Sequence, residues 1–165
     1  MAALPPAATV ACYAPFGTEP CATAEPPLPD ALLTAGHRVL LPVLRDDLDL
    51  DWAEYRGQTT VARFGISEPV GVRLGLAAIR DVDAVIAPAV AVDRSGMRLG
   101  RGGGSYDRAL ARIPAGVPVI VPLYDGELLP SVPTDPHDVP VTAVVTPSDG
   151  LLTLRRSGRS RPSMT

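Results

Sequence analysis

The chain has 165 residues, 46% of them hydrophobic and only 4% aromatic, so it is long enough for one domain with a core of Ala, Val and Leu and too apolar to stay unfolded. A net charge of −3 without any long basic or acidic block argues against a nucleic-acid partner, and no apolar run approaches the ~20 residues that span a membrane. All 15 cations are arginine, which excludes a lysine as phosphate ligand or Schiff base. Cys12 and Cys21 form no CxxC pair and read as reduced thiols, and no signal peptide is evident, so a cytoplasmic location is expected.

In chain order, residues 9–14 predict a short buried strand ended by Pro15. A loop-like stretch follows to Pro29 and holds Phe16, Gly17 and Glu19. Asp30 caps an expected short helix over residues 31–35, which Gly36 stops. Residues 37–44 predict a second strand, with Pro42 marking an edge or a strand end. Leu48, Leu50 and Trp52 alternate with aspartates and predict a half-exposed strand. Residues 65–71 form a polar turn region around Glu68-Pro69. Residues 84–87 predict a buried strand, and an apolar stretch then leads into the turn Asp93-Arg94-Ser95-Gly96.

After a glycine-rich run, residues 105–113 predict a helix with Tyr106, Ala109, Leu110 and Ile113 on one face and Arg108 and Arg112 on another. Residues 117–123 and 141–145 predict two more buried strands. Strands interleaved with helices imply an α/β fold with a mainly parallel sheet, whose ligands lie beyond the carboxyl ends of the strands. The expected organisation is one domain over residues 1–150 and a polar, basic tail over 151–165.

The run Arg98-Leu99-Gly100-Arg101-Gly102-Gly103-Gly104-Ser105-Tyr106-Asp107 carries the chemistry. Glycines let backbone amides approach an anion, a helix start adds unsatisfied donors, and arginine forks match phosphate oxygens. A P-loop needs a lysine after its last glycine, and the dinucleotide pattern G-x-G-x-x-G ends here on Ser105 or Asp107, so both fail. A different anion-binding loop remains, beside the plainer reading of a flexible glycine turn. Asp107 is either a helix-start acid or a carboxylate anchoring Mg²⁺ beside a polyphosphate, and Asp138 is either its partner or a turn residue. His137 is a ligand, an acid–base group or an exposed loop residue. Glu19 either receives a ligand N–H or is an exposed loop acid. Tyr106 stacks on a ring or faces the core, and Trp52 packs.

The run from Arg98 to Arg108 is preceded by Pro88-Ala89-Val90-Ala91-Val92-Asp93 and followed by Pro136-His137-Asp138-Val139-Pro140. Together they resemble the 5-formyltetrahydrofolate cyclo-ligase (methenyltetrahydrofolate synthetase) family. Tyr13-Ala14-Pro15-Phe16-Gly17-Thr18-Glu19 is similar to that family's substrate strand and loop, and Gly65-Ile66-Ser67-Glu68-Pro69 to its middle turn. The resemblance runs from about Val10 to about Thr146.

It implies a three-layer α/β/α fold with a mixed, mostly parallel sheet. The implied reaction is ATP-dependent conversion of 5-formyltetrahydrofolate to 5,10-methenyltetrahydrofolate with release of ADP and phosphate, in which the formyl oxygen is phosphorylated before N10 attacks. The implied site has Arg98, Leu99, Gly100, Arg101, Gly102, Gly103, Gly104, Ser105 and Tyr106 around ATP, with Arg101 and Tyr106 catalytic. Ala14 and Glu19 would touch the folate, and Asp107 and Asp138 would hold Mg²⁺. A monomer acting on a small molecule is expected. Family members usually begin with a basic helix, which residues 1–8 do not provide, and Ser105 and Gly103 stand where a tyrosine and, in some members, a lysine are usual. The alternative expectation is a shortened homologue that binds nucleotide or folate with little or no turnover.

Overall fold

The protein is described by a computed structural model over residues 4–154. Its elements in order are β1 (Thr9–Cys12), α1 (Leu28–Thr34), β2 (Arg38–Leu44), β3 (Leu50–Tyr55), β4 (Thr59–Val61), β5 (Ser67–Pro69), β6 (Ala84–Ile86), β7 (Ala91–Asp93), β8 (Arg98–Leu99), α2 (Ser105–Leu110), β9 (Val119–Pro122), β10 (Leu128–Leu129), β11 (Ala143–Thr146) and β12 (Gly150–Thr153). Two 3₁₀ turns lie at Arg63–Gly65 and Leu76–Asp81. Seven strands form one sheet in the order β12-β11-β9-β6-β1-β2-β3. Its inner pairs are parallel, and β3 and β12 run antiparallel at the edges.

The period of two along each strand sends alternate side chains to opposite faces. Ala11, Leu40, Val85, Val121 and Val144 meet Ile79 of the second 3₁₀ turn and Ala109 and Leu110 of α2. Val10, Cys12, Val39 and Leu41 instead meet Leu32 of α1. Helical segments therefore cover both faces, as expected, but they are few and short. Burying a Leu or Val here contributes about 1.5–3 kcal/mol each, which makes the central strands the stable base of the molecule.

Several boundaries differ from the sequence reading for identifiable reasons. Helix α1 starts at Leu28, because prolines are tolerated in a first turn, and Asp30 lies inside it, accepting a hydrogen bond from the Tyr55 hydroxyl (2.8 Å) rather than capping. Pro42 sits within β2 opposite Trp52, but the ladder to β1 ends at Leu40, so the missing N–H costs no bond on that side. The strand around Trp52 is buried on both sides, not half-exposed: Asp51 accepts from the Trp52 and Gly75 amides, which folds the 67–81 segment over it. Helix α2 ends at Leu110, three residues early, and single-turn bonds carry the chain to Ile113. The expected domain limit at Gly150 falls inside the β11–β12 hairpin, so residues 151–153 belong to the sheet. Residues 155–165 of the expected tail lie outside the described residues.

Candidate functional site

From β1 the chain crosses to β2 on one side and later returns to β6, which lies on the other side of β1. The carboxyl ends of β1 and β6 thus flank the switch point of the sheet, where open α/β sheets form a crevice. The loop after β1 carries Ala14, Phe16 and Glu19. The segment after β6 forms a small sheet, β10-β7-β8, and delivers the glycine loop.

The β1 loop is fastened from two directions. The Tyr13 hydroxyl donates to the Pro20 carbonyl (2.8 Å) and the Tyr124 hydroxyl, just beyond β9, donates to the Glu19 carbonyl (3.1 Å). Glu19 accepts the Phe16 amide (3.1 Å), and its side chain is 11% exposed. Burial pushes its carboxyl above the usual range, against the opposing pull of the Phe16 amide and of Arg101. Ala14 is half-buried against the α1-side core.

Arg101 reaches across the crevice. Its guanidinium lies 3.4 Å from Glu19 and 5.3 Å from the Phe16 ring centroid, with its side chain 55% exposed. Arg98 is its opposite. Its side chain is 4% exposed, it donates to the Pro88 carbonyl (3.1 Å) and to Asp107 (2.8 Å), and it lies over the Tyr106 ring. The Tyr106 hydroxyl is enclosed without a partner among the described residues. Burial first, and the nearby thiol of Cys12, raise its pKa well above the ordinary phenol value, although Arg98 pulls the other way.

Residues 101–104 lead from β8 to the start of α2. Gly104, at φ +68°, makes the left-handed step that a side chain would oppose, and it does so at the N-terminal boundary of α2. Among the described residues, the backbone amides of Arg101, Gly102, Gly103 and Gly104 donate to no protein acceptor, and those of Ser105, Tyr106 and Asp107 are the unsatisfied donors of a helix start. Seven consecutive N–H groups are therefore without a protein acceptor among the described residues. Helix α2 has only six residues, so these amides and Arg101, rather than a long dipole, supply the positive potential.

Residues 1–147 match the model of the 5-formyltetrahydrofolate cyclo-ligase family. The chain belongs to this family. It is 48% identical to the 5-formyltetrahydrofolate cyclo-ligase of Mycolicibacterium smegmatis over 153 residues, covering 89% of this chain and 77% of that protein. Against the Escherichia coli K12 cyclo-ligase, identity is 39% over 133 residues, covering 74% and 70%. The NMR structure of Aquifex aeolicus 5,10-methenyltetrahydrofolate synthetase matches with a TM-score of 0.71 at 32% identity, over 94% of this chain and 75% of that one. A Mycoplasma pneumoniae 5,10-methenyltetrahydrofolate synthetase shares the fold, with a TM-score of 0.63 at 21% identity. The family is one of ATP-dependent ligases acting on folates.

Against the cyclo-ligase expectation, the structure brings Glu19, Arg101 and the ring of Phe16 together, and joins Arg98, Tyr106 and Asp107 into a second group. Asp138 stands in a separate loop after β10, half-buried, accepting the Asp135 amide (2.7 Å), and neighbouring His137 is exposed. The sequence reading overlooked Tyr13 and Tyr124 as fasteners of the Glu19 loop. Tyr124 stands just past the carboxyl end of a predicted strand, the position at which α/β sheets gather ligand contacts. No helix of the described residues is long and apolar enough to cross a membrane.

Proposed function

We propose that this chain performs the ATP-driven ring closure of its family, converting 5-formyltetrahydrofolate to 5,10-methenyltetrahydrofolate, at the crevice between β1 and β6. The observation that carries this reading is the run of seven amides over residues 101–107 without a protein acceptor among the described residues, in the same loop as Arg101, which reaches Glu19 of the β1 loop. Phosphoryl transfer asks a protein for positioning and for stabilisation of charge on phosphoryl oxygens rather than for a nucleophile. The amides and Arg101 meet that demand. Leu99 and Gly100 lead the chain from β8 into the loop, and Arg98 works from beneath by holding Asp107.

The folate side belongs to Ala14, Glu19 and Tyr106. Glu19 presents an acceptor for a ring N–H in a half-apolar setting that keeps its proton affinity high. The enclosed Tyr106 hydroxyl, without a partner among the described residues, is a donor for a ligand that reaches it.

The donor set fits Mg²⁺. Asp107 commits one oxygen to Arg98, and the other has no hydrogen-bond partner among the described residues; Asp138 adds a second hard oxygen ligand. Mg²⁺ takes one or two protein carboxylates and completes its shell with phosphate oxygens and water. Bound there, Mg²⁺ would neutralise charge on the phosphates. The reading includes a cytoplasmic, monomeric protein with a small-molecule substrate.

The test is spectrophotometric. Methenyl-folate absorbance is expected to grow only when MgATP and 5-formyltetrahydrofolate are both present. A folded chain that binds MgATP yet makes no product would instead be a binding homologue. Absence of any heat on calorimetric titration with MgATP would overturn the phosphate-loop assignment itself.

A further inference from the structure

Asp93 is buried, 5% exposed, at the end of β7 and has no part in the site described so far. Its Oδ1 accepts three hydrogen bonds, from the Ser95 amide (2.9 Å), the Ser95 hydroxyl (2.6 Å) and the Met97 amide (3.1 Å). Its Oδ2 accepts the amide of Val132, 39 residues away, at 3.3 Å. Burial opposes the charge, but the Ser95 hydroxyl and the amides of Met97, Val132 and Ser95 together keep the carboxyl below its usual range. The side chain thus closes the turn between β7 and β8 with one oxygen and grips a distant loop with the other.

The same turn grips that loop at a second point. Gly96 presses on the backbone at Val141: a Cβ at Gly96 would stand 2.5 Å from the Val141 carbonyl, and the Val141 amide donates to the Gly96 carbonyl at 2.8 Å. Val132 and Val141 are both buried, and between them residues 133–137 are exposed and Asp138 is half-buried. The turn therefore clamps both roots of the loop that carries Asp138. Its other end, Arg98 on β8, is bonded to Asp107.

We infer that Asp93 is a positioning residue that holds the Asp138 loop against the β7–β8 hairpin and so sets Asp138 relative to Asp107. The inference rests on the reading of those two carboxylates as the magnesium ligands. A metal that bridges two carboxylates on different loops tolerates little drift between them, because octahedral Mg²⁺ demands near-ideal ligand geometry.

Asp93→Asn separates the two grips. The amide oxygen can keep the three donors of the turn, which turns the NH₂ group toward the Val132 N–H, donor against donor. Mn²⁺ serves as the probe, its binding in the presence of ADP followed by electron paramagnetic resonance, with folate binding and hydrogen exchange measured on the same samples. Asp93→Asn is expected to weaken Mn²⁺ binding at least tenfold and to speed exchange at the Val132 and Val141 amides, with Met97 exchange and folate affinity unchanged. Asp107→Asn and Asp138→Asn should weaken Mn²⁺ binding without that change in exchange. If those two variants retain wild-type Mn²⁺ affinity, the metal reading falls. If they lose it while Asp93→Asn keeps it, or if Asp93→Asn loses folate and Mn²⁺ binding alike, the positioning role is refuted. Should Asp93→Asn not fold, Val132→Pro removes the same hydrogen bond from the loop side; proline has no amide hydrogen, so exchange is then read at Val141, and Mn²⁺ and folate affinity decide as before.

Discussion

Arg98 and Arg101 stand three residues apart in one motif and live in different physical worlds. Arg98 is sealed beneath the crevice, its charge spent on Asp107 and on the Pro88 carbonyl. Arg101 lies on the rim, more than half exposed, held only by a long contact to Glu19 and by the face of Phe16. A buried guanidinium already bonded to a carboxylate shapes the site. An exposed one with a loose partner can exchange it for a phosphate at little cost, because surface ion pairs contribute only about 0–1 kcal/mol. Two residues that look equivalent in a motif thus divide into a buried support and an exposed side chain, the one proposed above as a ligand contact.

Four changes break or sharpen that division. The largest effect is expected at the carboxylate joined to the support. Asp107→Asn keeps an acceptor for Arg98 but removes the charge, and turnover in the methenyl-folate assay should fall by about a hundredfold or more, some 3 kcal/mol or above. Arg98→Met should act through the fold: it strands Asp107 and the Pro88 carbonyl and is expected to cost about 3 kcal/mol in urea unfolding. A loss of activity at unchanged stability would make Arg98 a ligand contact instead. Arg101→Ala reverses the pattern, with kcat/KM down roughly tenfold to a hundredfold and stability moved by no more than about 0.5 kcal/mol.

The smallest effect lies at the base of α2, where Arg112 clasps Asp49 in two bonds of 2.8 and 2.6 Å. Those bonds hold the Asp49 carboxyl below its usual range in spite of burial. Its folded value is below the unfolded 3.8, so the stabilisation is full well above that pH and fades as pH drops through the folded value. Asp49→Asn should cost about 1–2 kcal/mol at neutral pH. It should also flatten the acid limb of the unfolding curve, and a limb unchanged in steepness would count against the clasp.

Much of this architecture was legible beforehand. Continuous apolar runs such as Ala84 to Ala87 and Val117 to Leu123 announce buried strands, and the glycine run announces a loop between a strand and a helix. What stayed hidden depends on contacts distant in sequence. Trp52 lies among aspartates that look like a solvent face, until Asp51 takes the Gly75 amide 24 residues on and covers the strand. Asp93 looks like any turn residue until Val132 is seen to donate to it. Arg98 and Arg101 have identical side chains, and only the packing of Tyr106 and Pro88 separates their roles. The pairing of β12 escaped because its two leucines lead directly into a polar stretch.

The two tyrosine hydroxyls that tie down the β1 loop also set the cost of moving it. At about 1 kcal/mol for each bond, lifting the Glu19 segment away from Tyr13 and Tyr124 costs about 2 kcal/mol. A ligand whose binding displaced that segment would bind about thirtyfold more weakly than one that left it in place. The rigidity of this loop would thereby favour ligands that fit its resting shape.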